Sequence, residues 1–214
     1  YELEFTHNYI SNGILSHNAV TKAFTAGHRY FSDINENLEK GDLVKLSENN
    51  EIVKTTEQKD TSVLGIVWFE FSRNSYGVDG DAAEHSDKDI FKRDSFGKVY
   101  TDEEMKTKKL WKIAAIGDTR FIDKMKKPQE LDGLKVCNQN GEVKKGDLLC
   151  SSDTSGYAMK QPTEFVITSV DGIKPTGYDE RQNMSSFTIG KSMEDVEFDK
   201  NGIADRVYGY LYCG

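Results

Sequence analysis

Apolar runs divide the chain into short strand-like segments separated by turns rich in glycine and asparagine. A continuous apolar run at residues 63–69 is typical of a buried strand, and residues 110–119 and 133–137 give further strand signals. The end, residues 204–212, alternates aromatic and small side chains, as in a closing strand. The one helical pattern is short, at residues 101–109, where acidic residues precede lysines. The pattern predicts a mostly β protein with hairpins and long loops.

An internal repeat is visible within this pattern. The tetrapeptide Lys-Gly-Asp-Leu occurs at 40–43 and again at 145–148, each time leading into a strand, a turn and a second strand. Further along, the dipeptides Leu64-Gly65 and Ile189-Gly190 begin a third strand. The repeat predicts two related β-modules, near residues 38–70 and 143–192. The alternative is that Lys-Gly-Asp is only a common entry into hairpins.

Composition and charge narrow the function classes. The net charge of −8 argues against a nucleic-acid partner, because phosphate binding needs a basic face. No apolar run has the length of a membrane span, so membrane insertion is not expected. The 11 Phe, 10 Tyr and 2 Trp can supply a core to an otherwise polar chain.

Candidate metal and cofactor residues are sparse. Cys137, Cys150 and Cys213 are scattered without a CxxC pair, so we expect neither a zinc site nor a disulfide framework. An acidic stretch at residues 79–89 lacks the residue order of a calcium loop and is better interpreted as a solvated insertion. No metal, no cofactor and no enzyme acting on a diffusible substrate is predicted.

The clearest chemistry lies at the beginning, in residues 7–18. Asn12-Gly13 suits a two-residue hairpin turn and would place His7 on one arm and His17-Asn18 at the end of the other. An Asn side chain can attack the carbonyl that follows it, forming a succinimide and breaking the chain. That reaction needs a proton donor and a polarised carbonyl, and imidazoles titrate in the right range for both. An ordinary solvent-facing hairpin is the alternative.

This segment resembles the C-terminal end of an intein, or of an intein-like (Hint) autoprocessing domain. The resemblance covers residues 1–18 and implies that Asn18 cyclises, that His17 assists, and that His7 takes part in proton transfer. Ala19 replaces the Cys, Ser or Thr that completes splicing, so cleavage of the bond from Asn18 to Ala19 is expected without ligation. At most, this is single-turnover self-cleavage. The motif also implies that the chain is a fragment of a longer polypeptide.

Most of residues 24–214, within the predicted domain 19–214, resemble a second family. The sequence Gly146-Asp147-Leu148-Leu149-Cys150-Ser151-Ser152, followed by residues 156–160, is similar to a segment near the C-termini of bacteriophage tail-fibre and tailspike proteins. The nearest family is the autoproteolytic domain linked to an intramolecular chaperone. None of its acidic catalytic residues can be matched here.

Two functions follow from these resemblances. The first is a β-rich virion structural protein, made in the host cytoplasm, that assembles as a homo-oligomer, most simply a trimer, with other virion proteins. The alternative is a self-cleaving processing domain that uses His7, His17 and Asn18. The two are compatible, since cleavage after Asn18 would release the structural domain.

Overall fold

The computed structural model describes residues 2–3, 8–11, 14–17, 27–70, 92, 97–119, 133–171 and 174–213. In residues 2–17 and 165–180 the description is of the backbone. The described chain is mostly β, as predicted. Its one described multi-residue helical segment is a short 3₁₀ helix, Glu104–Thr107. Strand β8 begins at the next residue, so the predicted helix at 101–109 is wrong beyond that turn.

The strands fall into three parts of the chain. The first part contains β1 (Glu2–Leu3), β2 (Asn8–Ser11) and β3 (Ile14–His17). The second contains β4 (Gly27–Asp33), β5 (Leu43–Leu46), β6 (Ile52–Lys54), β7 (Val63–Glu70) and β8 (Lys108–Ala114). The third contains β9 (Ile116–Asp118), β10 (Leu134–Cys137), β11 (Leu148–Ser151), β12 (Ala158–Lys160), β13 (Glu164–Asp171), β14 (Lys174–Arg181), β15 (Gly190–Ser192), β16 (Ile203–Val207) and β17 (Gly209–Tyr212).

Two larger sheets form the body of the described chain. The five-stranded sheet has the order β4-β8-β7-β5-β6, and the seven-stranded sheet has the order β16-β10-β12-β11-β15-β17-β9. Strands β10 and β12 run parallel, while the other described neighbours run antiparallel. The pair β13–β14 forms a separate two-stranded sheet that the sequence pattern did not predict.

The two predicted modules have the same strand order. In the first, β5 lies between β6 and β7, and in the second, β11 lies between β12 and β15. The match continues beyond these three strands. The next two strands in the first sheet are β8 and β4, and the next two in the second sheet are β17 and β9. The pairing register also matches, since Val44 faces both Lys54 and Gly65 while Leu149 faces both Lys160 and Gly190. Their origin by duplication stays a prediction.

The central strands carry apolar side chains on both faces. Alternate residues of a strand point to opposite faces, so Leu43 and Ile66 enter a core shared with the seven-stranded sheet, whereas Val44 and Val67 enter a second core with Trp111. This explains the continuous apolar run at 63–69, which is typical of strands buried on both faces.

Two predicted strands are each divided in the structure. The segment 110–119 becomes β8 and β9, which join different sheets on either side of the buried Ala115. The segment 204–212 becomes β16 and β17, separated by Tyr208, with Arg206 in the left-handed region at φ 61°. In both cases the chain passes from one strand to another strand that does not pair with it. Alternation of apolar and polar residues does not encode such a change of partner.

Candidate functional site

The N-terminal segment forms the predicted hairpin at the level of the backbone. Strands β2 and β3 pair antiparallel from Ser11 opposite Ile14 to Asn8 opposite His17, which is the pairing that the predicted hairpin requires. Strand β1 adds a third strand, with Glu2 opposite Tyr9. His17 is thus at the open end of the hairpin. His7, Asn18, Ala19 and the acidic stretch at 79–89 lie outside the described residues, so the geometry of the predicted cleavage site is not tested.

A cluster of four charged side chains lies where the two large sheets meet. We call it the interface cluster, and it consists of Glu39, Asp42, Lys54 and Lys135. Glu39 and Asp42 belong to the turn before β5, Lys54 ends β6, and Lys135 reaches across from β10 of the other sheet. Lys135 Nζ lies 2.8 Å from Asp42 Oδ1 and 2.7 Å from Glu39 Oε2, and Lys54 Nζ lies 2.9 Å from Asp42 Oδ2.

Two contacts made by Asp42 in this cluster are also made by Asp147 in the second module. Asp42 Oδ2 accepts the backbone N–H of Glu39 at 2.7 Å, and Asp147 Oδ2 accepts that of Lys144 at 2.8 Å. Each aspartate also forms an ion pair with the last lysine of the neighbouring strand, Lys54 at 2.9 Å and Lys160 at 3.0 Å. The aspartate of Lys-Gly-Asp-Leu therefore locks its turn to the second strand of its module.

The backbone around the two turns matches as well. Gly41 N–H donates to Val67 O and Gly146 N–H to Ser192 O, both at 2.8 Å. Both glycines have positive φ, 86° and 98°. This left-handed conformation is costly for residues with a Cβ, which accounts for glycine in both copies.

The two copies differ in burial. The Asp42 side chain has no exposed surface, whereas that of Asp147 is 19% exposed. Among the described ion pairs, Asp42 has a second lysine, Lys135, which also contacts Glu39, whereas Asp147 pairs with Lys160 alone. Asp42 Oδ1 makes no hydrogen bond of acceptable angle among the described residues, so its 2.8 Å approach to Lys135 is a charge contact.

The pKa values follow from these contacts. Burial alone lowers the pKa of Lys135, but the Asp42 and Glu39 carboxylates outweigh burial, and the net pKa is raised. The hydrogen bond and charge of Lys135 lower the pKa of Glu39. The Lys135 ammonium also lies 5.6 Å from the centre of the Tyr157 ring, whose hydroxyl donates to Asp205 at 3.3 Å. Burial, followed by the charge of Asp205, raises the pKa of Tyr157.

The three cysteines are buried free thiols. Burial raises the pKa of Cys150 to about 11 and that of Cys213 to about 12. Cys150 packs with Cys137 and Met159 in a small apolar cluster, and Cys213 Sγ donates to the backbone oxygen of Ile189 at 3.4 Å. The high pKa values of Cys150 and Cys213 keep those two thiols neutral and poorly nucleophilic at neutral pH.

The interface cluster was only partly accessible from the sequence. The Lys-Gly-Asp-Leu repeat is visible in the sequence, but the repeat does not identify the partners of its aspartates. Lysines at matching places, Lys54 and Lys160, were a usable signal for the shared ion pair. Nothing in the local pattern points to Lys135, because it meets Asp42 through the packing of one sheet against the other.

Within the described residues, no helix is long and apolar enough to cross a membrane. Comparison with protein-family models, with curated proteins and with solved structures finds no match for this chain.

Proposed function

We propose that this chain is a β-rich structural domain of a bacteriophage tail fibre or related virion appendage, and that it works by assembly. The observation that carries the proposal is the paired Lys-Gly-Asp-Leu module. The second copy contains the segment that resembles tail-fibre C-termini, and it is built into a seven-stranded sheet that shares a core with the first copy. A core shared by two modules is close-packed and resists deformation, which suits an appendage that is under mechanical load.

Location in purified particles tests this proposal. Particles from cells that produce the chain are purified on a density gradient, washed in high salt and analysed by quantitative mass spectrometry. We expect the chain to co-purify with intact particles in a fixed ratio to the other virion proteins. An abundant host cytoplasmic protein serves as the control for carry-over. A chain that stays in the soluble fraction with that control would contradict the proposal.

We propose as a second function that the N-terminal hairpin is the end of a self-cleaving precursor. The observation that favours it is the β2–β3 pairing, which sets His17 at the open end of the hairpin opposite Asn8. In the precursor, the Asn18 side-chain nitrogen attacks the Asn18 backbone carbonyl carbon. A succinimide forms, the bond to Ala19 breaks, and the amine of Ala19 leaves with a proton from His7. His17 polarises the carbonyl.

Substitution in the precursor tests this chemistry. Asn18→Ala should abolish the cut, and His17→Ala should slow it by about 10²- to 10⁴-fold, the usual range for a positioned acid or base. Because Ala19 has no side-chain nucleophile, the fragments should separate unligated. The 214-residue chain alone should cleave slowly or not at all.

Intact-mass spectrometry of the precursor is the measurement. The predicted products have masses that correspond to cleavage after Asn18, and the upstream product ends in a succinimide or its hydrolysis product. Ser16→Ala is a matched control on the same arm and should leave the cut in place. A precursor that stays intact, or a cut that survives Asn18→Ala, would show that the hairpin is not active.

A further inference from the structure

The interface cluster contains the parts of an amide-forming site. We propose that Asp42 and Lys135 join through an autocatalytic isopeptide bond that covalently links the two modules. Lys135 Nζ lies 2.8 Å from Asp42 Oδ1, and both side chains are withdrawn from water, with exposed fractions of 9% for Lys135 and 0% for Asp42. The two residues come from different sheets, so the bond would connect the turn before β5 to strand β10.

Glu39 is placed to move the protons. Its Oε2 lies 2.7 Å from Lys135 Nζ, within the reach expected of a general base. Glu39 takes a proton from the Lys135 ammonium, which makes the nitrogen a nucleophile. Because the pKa of Lys135 is raised, the neutral amine is its minor form, and this transfer to Glu39 supplies it. Glu39 returns this proton to Asp42 Oδ1, and after the attack it transfers a second proton from the nitrogen to the same oxygen, so that Oδ1 leaves as water.

The second oxygen of Asp42 has the donors that the intermediate requires. Attack of Nζ on the side-chain carbon Cγ places negative charge on an oxygen of a tetrahedral intermediate. Asp42 Oδ2 already accepts the Glu39 backbone N–H at 2.7 Å and lies 2.9 Å from Lys54 Nζ. Donors fixed in this way stabilise a developing oxyanion. Oδ1, which makes no hydrogen bond of acceptable angle among the described residues, is the oxygen that leaves.

The atoms balance without a further reactant. The ammonium of Lys135 and the carboxylate of Asp42 become one secondary amide and one water. One C–N bond forms, one C–O bond breaks, and nothing is oxidised or reduced. The product removes the buried charges of Asp42 and Lys135, while Lys54 and Glu39, whose side chains are 20% and 60% exposed, keep theirs in contact with water.

The equivalent pair in the second module lacks these features. Asp147 is partly exposed, and its one described ion pair is with Lys160 at 3.0 Å. No glutamate contacts Lys160 among the described ion pairs. The proposal therefore assigns the bond to Asp42 and not to Asp147, and the second module is an internal control. Neither proposed function is needed for this inference.

Mass spectrometry of the 214-residue chain tests the proposal. The purified native protein is incubated at neutral pH, and a parallel sample is kept in urea. We expect the native sample to lose the mass of one water and the urea sample to keep its full mass. Digestion and fragmentation should then show a branched peptide that joins Asp42 to Lys135. Fragmentation is necessary because cyclisation at an Asp-Gly pair would cause the same mass loss without a branch.

Three variants separate the roles. Lys135→Arg keeps the charge but supplies no amine nucleophile, and Glu39→Gln removes the base while keeping the backbone N–H that faces Asp42. Both should abolish the branched peptide. Lys160→Arg, in the equivalent pair, should leave it unchanged. Circular dichroism shows which variants are folded, and the result for the native chain decides the proposal even if a variant does not fold.

Each outcome bears on the assignment. A branched peptide in the native chain that is lost in folded Glu39→Gln supports the proposal. A folded native chain without the branch overturns it. A branch at Lys54 in place of Lys135 overturns the assigned pair, and a branch that persists in Glu39→Gln overturns the assigned base.

Discussion

At the scale of single residues, matched positions in the two modules experience different surroundings. Gly41 and Gly146 occupy equivalent turns with positive φ. A Cβ at Gly41 would lie 2.8 Å from the backbone oxygen of Gly133, whereas a Cβ at Gly146 would meet nothing within 4 Å. The first turn faces the other sheet and the second faces open space.

This difference predicts unequal effects of the same substitution. Gly146→Ala should destabilise the protein by about 1–2 kcal/mol, the cost of the left-handed conformation. Gly41→Ala should cost about 1–3 kcal/mol more, because the new methyl group overpacks against fixed backbone. Urea unfolding of both variants measures the difference. Equal losses of stability would contradict the proposed contact between the Gly41 turn and Gly133.

The buried thiols make stability depend on pH. The folded pKa values of Cys150 and Cys213, about 11 and about 12, lie above the value of about 8.5 expected in the unfolded chain. Between these values the folded state binds more protons than the unfolded state, so the stability they contribute is complete below the unfolded pKa. It is lost as the pH rises through the folded pKa.

The measurement is the free energy of unfolding at pH 8 and at pH 10. We expect the wild type to lose stability over this interval, and a double variant, Cys150→Ala with Cys213→Ala, to lose less. The comparison between the two proteins removes the contribution of lysines and tyrosines that titrate in the same range. Identical slopes would show that the thiols do not couple to folding.

At the scale of elements, the β13–β14 hairpin stands apart from the two large sheets. Its strands pair only with each other among the described strands. The equivalent connection in the first module, between β6 and β7, is a loop at residues 55–62. At the base of the hairpin, Gln182 Nε2 donates to the backbone oxygen of Gln161 at 2.5 Å, and Gln161 is itself buried.

The hairpin should therefore be dispensable for folding. Replacing residues 164–181 with a short Gly-Ser linker, while keeping Gln161 and Gln182, should leave the core intact and change the melting temperature by only a few degrees. Near-ultraviolet circular dichroism and thermal unfolding measure this. A comparison deletion of β12, which pairs with both β10 and β11, should unfold the protein. Unfolding on removal of the hairpin would show that it belongs to the core.

At the scale of the whole molecule, the two modules act as one body. Lys135 N–H donates to Gly41 O at 3.1 Å and Leu43 N–H donates to Gly156 O at 2.8 Å, so backbone hydrogen bonds cross from sheet to sheet. The shared core adds Leu43 and Leu134, both fully buried. Breaking this junction would expose apolar side chains and buried charges together, which predicts cooperative unfolding.

The expected trimer requires an exposed apolar surface through which the copies contact each other. Tyr210 on β17 and Ile116 on β9 are 42% and 40% exposed, and they lie on adjacent strands at the end of the seven-stranded sheet. We expect multi-angle light scattering to give about three times the chain mass of 24.2 kDa. Tyr210→Lys combined with Ile116→Lys should shift the mass towards the monomer, because charged side chains resist burial in an apolar contact.

Met184→Lys provides the control for that experiment. Met184 is 65% exposed and lies outside the described strands, so a charge there should leave the oligomer unchanged. A monomer at high protein concentration would refute the trimer for the native chain. A trimer that survives the double substitution would place the contact elsewhere.

The amino-acid sequence by itself determined the class of the fold and its local units. Alternation, turn residues and the Lys-Gly-Asp-Leu repeat are local properties, so they indicated a mostly β chain, the two arms of the N-terminal hairpin and the strands that follow each copy of the repeat. They also singled out His7, His17 and Asn18, whose chemistry depends on neighbours in the chain. The arms of the hairpin are confirmed, and the roles of these three residues stay predictions.

Tertiary structure alone decided what depends on contacts between distant segments. It divided the run at 110–119 between two sheets, and it brought Lys135 to Asp42 across 93 positions of sequence. Burial then distinguished Asp42 from Asp147, although both are the third residue of the same motif. A local pattern specifies which residues can pair or turn. Which carboxylate is buried away from water, and which lysine then contacts it, depends on how the two sheets pack around their shared core.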